Sequence, residues 1–203
     1  MNAKKLKAYA RKQDTLLLTR CGGVQWLNVG AGIYPLTGWP EVNDEELLTV
    51  LDVPAKKQDG YKVFMPSGEA ELYRGLLAEL QPGEEFNVTL SSLTIGTARG
   101  AWVPVYTPEG LRFVQASALG IVSEEAAKHQ IAYRRVGELE TVVVFEGLLV
   151  AGVLLCQSGW IDSQTADELA DAAKVASMID SQRRAEEMAG DRQLKMMEED
   201  PEE

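Results

Sequence analysis

One order of elements recurs along this chain and restricts its fold more than any single residue does: a helix followed by three short strands. In the first instance Asn2 to Gln13 reads as a helix, with Leu6, Tyr9 and Ala10 on one face and basic residues mostly on the other. Strand-like runs follow at 15–20, 24–29 and 33–36, the first two joined by the turn Cys21-Gly22-Gly23. In the second instance Leu111 to Ala116 reads as a strand, and Ser123 is expected to cap a helix running to about Gln130. Residues 131–136, 141–145 and 148–156 then read as three antiparallel strands, the last two turning at Glu146-Gly147. Helices and antiparallel strands separated in this way define an α+β fold.

The connecting region has its own signals. After the breakers Thr37-Gly38-Trp39-Pro40, Asn43 and Glu46 stand at capping-box spacing before the apolar face Leu47, Leu48 and Leu51. Lys56 to Gly60 reads as a polar connector, and Glu69 to Leu80 as a helix closed by Pro82-Gly83. Phe86, Val88 and Leu90 alternate with polar residues, the period of a half-buried strand. Pro104, inside the run 101–107, is expected at a sheet edge or bulge, because proline has no N–H to give to a ladder. Asp162 or Ser163 opens a long helix with Leu169, Ala173 and Ala176 on one small-residue stripe. Three segments are therefore expected: an α+β body over 1–156, a helical extension over 157–197 and a disordered acidic tail over 198–203, where five of six residues are acids.

Charge is distributed unevenly between these segments. The formal net charge is −11. Residues 1–20 hold six basic groups against one acid, a balance of +5; the other 183 residues hold 14 basic and 30 acidic groups, a balance of −16. An acidic body repels nucleic acid at long range, while a basic helix at one end still attracts phosphate. The apolar fraction of 45% excludes disorder throughout, and the longest apolar run, Leu148 to Cys156, is too short to cross a membrane. No apolar segment follows the basic N-terminus, so no secretory signal is expected, and two cysteines, Cys21 and Cys156, fit a reducing cytoplasm.

The residues of common catalytic chemistry do not assemble. A single histidine, His129, has no cysteine or carboxylate at ligand spacing, and no metal or other cofactor is expected. Gly30-Ala31-Gly32-Ile33-Tyr34-Pro35 begins like a dinucleotide-binding loop, but Pro35 and Pro40 forbid the helix such a loop must open, so the glycines are expected to serve a hairpin. Adjacent acids such as Glu45-Glu46 and Glu124-Glu125 sit where helix starts explain them. A non-catalytic protein is expected.

Helix plus three antiparallel strands, used twice, resembles the building pattern of sliding-clamp domains, the processivity factors of DNA polymerases. Trp26 to Leu36 looks like the clamp hairpin after the first helix, Phe113-Val114-Gln115-Ala116 like the strand that starts a second unit, and Thr141 to Leu155 like the strands that close a domain. The chain is also similar to clamp-like proteins carried by bacteriophages and prophages, over Trp26 to Val53 and Gly110 to Leu155. In clamps the helices line a central hole around DNA. The resemblance therefore implies that Lys4, Lys5, Lys7, Arg11 and Lys12 face the DNA backbone without reading bases. A ring would require several copies, hence a homo-oligomer. Residues 38–110 hold two helices that the simple clamp unit lacks.

Partner contacts are expected on the C-terminal extension, through Leu169, Ala173 and Ala176 and through Gln193, Leu194, Met196 and Met197. The run Gln193-Leu194-Lys195-Met196-Met197 loosely resembles peptides that dock into bacterial clamps. The leading expectation is a clamp-like module of phage or mobile-element type acting near DNA or a replication protein, with no membrane partner. The alternative is an acidic DNA mimic or inhibitor that covers a basic host protein, in keeping with the net charge of −11.

Overall fold

The computed structural model describes residues 1–65, 71–77, 88–91, 93–98, 100–122, 130–158 and 163–198. The chain opens with α1 (Ala3–Ala10), whose first turn is capped by Asn2: its Oδ1 accepts from the Lys5 N–H at 3.0 Å. Next come β1 (Thr15–Cys21), β2 (Val24–Val29) and β3 (Gly32–Pro35), an antiparallel meander. Gly30 takes φ +57° between β2 and β3, a left-handed conformation open to glycine, so it serves the hairpin.

α2 (Asp44–Val50) carries the capping box in full: Asn43 Oδ1 accepts from Glu46 N–H at 2.8 Å, and Glu46 Oε2 accepts from Asn43 N–H at 3.1 Å. The polar connector contains one short helical turn, α3 (Ala55–Gln58), and leads into β4 (Lys62–Phe64). β4 pairs with β1 in parallel, the one parallel pairing among the described strands. α4 (Glu71–Leu77) lies within the helix expected over 69–80, whose remaining positions fall outside the described residues.

A second, smaller sheet is built on β7 (Gly100–Thr107), flanked by β5 (Thr89–Leu90) and β6 (Ile95–Thr97) on one side and β8 (Gly110–Gln115) on the other. Pro104 thus lies in a central strand rather than at an edge. Phe113, its partner in β8, turns its N–H away to Gln157, so Pro104 presents its missing donor on the opposite side, in the gap between β5 and β6. Pro104 O still accepts from the Ser91 N–H at 2.9 Å, so the strand forgoes only the donor that proline lacks.

β8 runs directly into α5 (Ala116–Val122), several residues before the helix start expected at Ser123. Ser123 to His129 lie outside the described residues, and Gln130 already belongs to β9 (Gln130–Val136). β10 (Leu139–Glu146) and β11 (Leu149–Leu155) complete the second meander, and α6 (Ser163–Glu198) follows.

The large sheet has the order β4-β1-β2-β3-β11-β10-β9. Its two meanders meet through their third strands, β3 and β11, paired antiparallel with Ile33 opposite Val153 and Gly32 opposite Leu154. The helices that lead the two meanders, α1 and α5, pack side by side, and the Asn2 N–H donates to Ile121 O at 2.7 Å. Period-two alternation then separates two cores. Leu16, Leu18, Val142 and Val144 pack in one cluster with Leu6, Tyr9 and Ala10 of α1 and Ala118, Ile121 and Val122 of α5. Val143, Phe145 and Val153 belong to the other, with Leu76 and Leu77 of α4. Leu6, at 0% exposure, is worth about 1.5–3 kcal/mol for leaving water. No helix among the described residues is long and apolar enough to cross a membrane.

Candidate nucleic-acid interface

α1 buries its apolar stripe against the sheet, so its cations are displaced to the opposite side by helical geometry alone. Lys4, Lys5, Arg11 and Lys12 are exposed. Lys4 and Lys5 lie in the first turn of α1, Arg11 is its C-cap and Lys12 stands in the turn that follows, so the exposed cations gather at the two ends of a helix of eight residues.

Lys7 is different. Its Nζ forms an ion pair with Asp52 Oδ2 at 2.9 Å and lies 5.6 Å from the centre of the Trp39 ring. Asp52 follows α2 in the left-handed region, φ +58°, a conformation aspartate tolerates better than most side chains. One of the five expected phosphate-facing residues is thus partly neutralised by a contact within the protein.

The fold also adds cations that the sequence left in a connector. α3 brings Lys56 and Lys57 beside the C-terminal end of α1, and the two helices with Tyr61 border an open groove lined by Arg11, Lys12, Lys56 and Lys57. Tyr61 Oη donates to Arg11 O at 2.9 Å, and Lys62 N–H donates to Asp14 O at 2.8 Å, so both walls of the groove are tied together through the backbone. The signal for Lys56 and Lys57 was tertiary: 44 positions separate Lys12 from Lys56, and no periodic pattern links them.

α1 is anchored under this surface by a polar relay. Tyr9 Oη donates to Gln115 Oε1 at 2.5 Å and accepts from the Ala31 N–H at 3.3 Å, which joins α1 to the β2–β3 hairpin and the end of β8. Tyr34, fully buried, donates to Ala118 O in α5 at 3.1 Å. Burial pushes its hydroxyl far above the ordinary tyrosine range, so it stays a neutral donor.

The expected partner residues lie on α6. α6 runs beside β8, with Ala173 buried and Leu169 and Ala176 half-buried, so this stripe is turned inward near its start. Val175, Met178 and Ile179 are exposed. Gln193, Leu194, Met196 and Met197 have helical backbone within α6; their side chains fall outside the described residues, as do His129 and the acidic residues after Glu198.

Among the described residues no three histidine, cysteine, aspartate or glutamate side chains gather at a spacing that would hold a metal ion. Cys21 and Cys156 are free thiols, and burial pushes the Cys156 thiol up to about 12, which keeps it protonated at neutral pH. The best-defined charged pair, Arg112 with Glu140, connects β8 to β10. No family model, no curated protein and no solved structure matches this chain.

Proposed function

We propose that this protein is a non-catalytic, clamp-like module that rests the cationic face of α1 against the DNA backbone, in a phage or mobile-element setting and in the cytoplasm. The observation that carries this reading is the arrangement of the two meanders. Each is led by a helix, they join through their third strands, and both helices pack on the same side of one continuous sheet. A clamp domain uses such paired helices as its inner surface and its sheet as an outer wall. The charge pattern supports the same orientation, since Lys4, Lys5, Arg11 and Lys12 point outward from the helix layer while the remainder of the chain is acidic.

Contact of this kind positions without specifying, because lysine and arginine on phosphate carry no base information. Encirclement of a duplex takes more than one copy, so the clamp form of the reading includes a homo-oligomer on DNA, with replication proteins as its company. The test is binding to two unrelated short duplexes at about 50 mM salt. The Lys4→Glu, Lys5→Glu double variant is expected to bind both at least about tenfold more weakly than the parent, by the same factor for each sequence. Absent binding by the parent, or unchanged binding by the variant, overturns the reading. Capture of a basic nucleic-acid-binding protein that DNA competes away supports instead an acidic mimic, for which the net charge of −11 is the motive.

A further inference from the structure

We infer that the groove between α1 and α3 is a second phosphate-contacting site, in which Arg11, Lys12, Lys56 and Lys57 together hold a stretch of nucleic-acid backbone. This rests on the reading that the basic face meets nucleic acid, and it extends the contact surface onto a part of the chain that the two helix-led meanders do not include.

Four cations border one groove, with Asp14 as the one acid along its lining. All four are exposed, and none of the four side chains has an ion-pair partner among the described residues. Like charges gathered in this way repel one another and oppose folding by a modest amount. Other cations are neutralised within the protein: Lys7 pairs with Asp52, Arg20 with Glu41, and Arg135 with Glu109. In a chain with 31 acidic residues, partners are not scarce. A group of cations left uncompensated in a concave surface is therefore a surface suited to an anion from outside.

Its shape narrows the class of anion. The walls are held by backbone hydrogen bonds, from Tyr61 Oη to Arg11 O and from Lys62 N–H to Asp14 O, so the four charges start from a fixed frame. The groove is open at the surface and continues the cationic face of α1, which suits an extended polyanion more than an enclosed small ligand. A lipid surface attracts cations as well, but holds them firmly where apolar side chains beside them insert. Among the residues lining the groove Tyr61 is the one aromatic or aliphatic side chain, and its hydroxyl is tied to Arg11 O. Repeating phosphates along a nucleic-acid strand remain as the partner this chemistry fits.

The experiment measures anisotropy of a fluorescent duplex of about 20 base pairs against the full chain across a salt series, with phosphatidylserine vesicles as a second probe. Lys56→Ala with Lys57→Ala removes two exposed cations that pack against nothing. This variant is expected to keep the parent's thermal unfolding, bind the duplex about tenfold more weakly, and reduce the slope of log affinity against log salt by about two. A parallel variant, Lys4→Ala with Lys5→Ala, separates the two surfaces. Loss confined to the Lys4 and Lys5 variant overturns the groove and leaves the proposed function standing. Loss in both supports both, and loss confined to the Lys56 and Lys57 variant supports the groove and moves the contact off the first turns of α1. A parent that binds vesicles and not duplex overturns both readings at once.

Discussion

The side chains of Arg112 and Glu140 join the two sheets beside the backbone bridge between Phe113 and Gln157. Arg112 Nε donates to Glu140 Oε2 at 2.7 Å and Nη2 to Oε1 at 2.9 Å, a bidentate fork with each side chain only 14% exposed. The arginine holds the Glu140 carboxyl below its ordinary range, against a burial that alone would raise it. A carboxylate whose folded value is depressed binds fewer protons folded than unfolded. Its stabilisation is thus complete above the ordinary glutamate value of about 4.5 and is lost as pH falls through the lowered one. Glu140→Gln is expected to cost about 2 kcal/mol at pH 7, the usual scale for losing a charged hydrogen-bond partner. Urea midpoints taken at pH 7 and pH 3 check this: the gap between parent and variant should narrow sharply at the lower pH. A gap of equal size at both would mean that packing, not charge, joins the sheets. Tyr133 lies in the same surroundings, and burial followed by the nearby Glu140 pushes its hydroxyl up to about 12, so it does not titrate in that window.

At the scale of elements, the contact between α5 and the sheet depends on a missing side chain. A Cβ built at Gly152 in β11 would collide with Val122 Cγ1 of α5 and sit 3.3 Å from Tyr34 Cδ1 of β3. Valine is short and cannot swing clear, so Gly152→Ala must lift α5 or move β11, at about 2 kcal/mol on the scale of core overpacking. Gly120→Ala, in the helix itself, meets nothing within 4 Å and should gain up to about 1 kcal/mol from helix propensity. Opposite shifts in thermal unfolding for the two variants would place the sensitivity at the helix–sheet contact rather than in α5. The same region shows where sequence reasoning ran out. The strands of both meanders were legible because alternation and glycine turns are local signals. The start of α5 was not: Ala116 to Val122 buries Ala118, Leu119, Ile121 and Val122, so it lacks a polar face to mark a helical period. The helix expected from Ser123 falls, up to His129, outside the described residues, so α5 is an element the sequence reading did not contain. Gly32 has a related hidden role: its missing Cβ seats the buried ring of Tyr34, which a reading of the Gly-Ala-Gly run as simple turn residues does not contain.

For the molecule as a whole, the quantity to explain is a net charge of −11 in a protein proposed to touch DNA. The split between a basic first segment and an acidic remainder was readable in one dimension, and the exposure of Lys4 and Lys5 opposite the apolar stripe of α1 followed from helical spacing. The groove was not readable, because Lys56 and Lys57 join Arg11 and Lys12 only after β4 pairs beside β1 and brings the connector back. This geometry limits how DNA is held. The cationic surface is one face of an otherwise acidic body, so attraction is local and each phosphate contact is exchanged against salt. Contacts from all six exposed cations, Lys4, Lys5, Arg11, Lys12, Lys56 and Lys57, would imply a slope of log affinity against log salt of about −5.4, or a fall of about 1,000-fold between 50 and 200 mM. Repulsion from the acidic remainder is screened over the same range, with a Debye length of about 10 Å at 0.1 M, and makes the observed slope shallower than the contact count. An expected slope between about −2 and −4, equal for unrelated duplex sequences, follows from these opposing effects. Measured by anisotropy, a slope near zero would leave the cations of α1 and α3 without phosphate partners. A slope steeper than about −5.4, the full count of those six cations, would require cations beyond them, such as those of further copies closed around the same duplex.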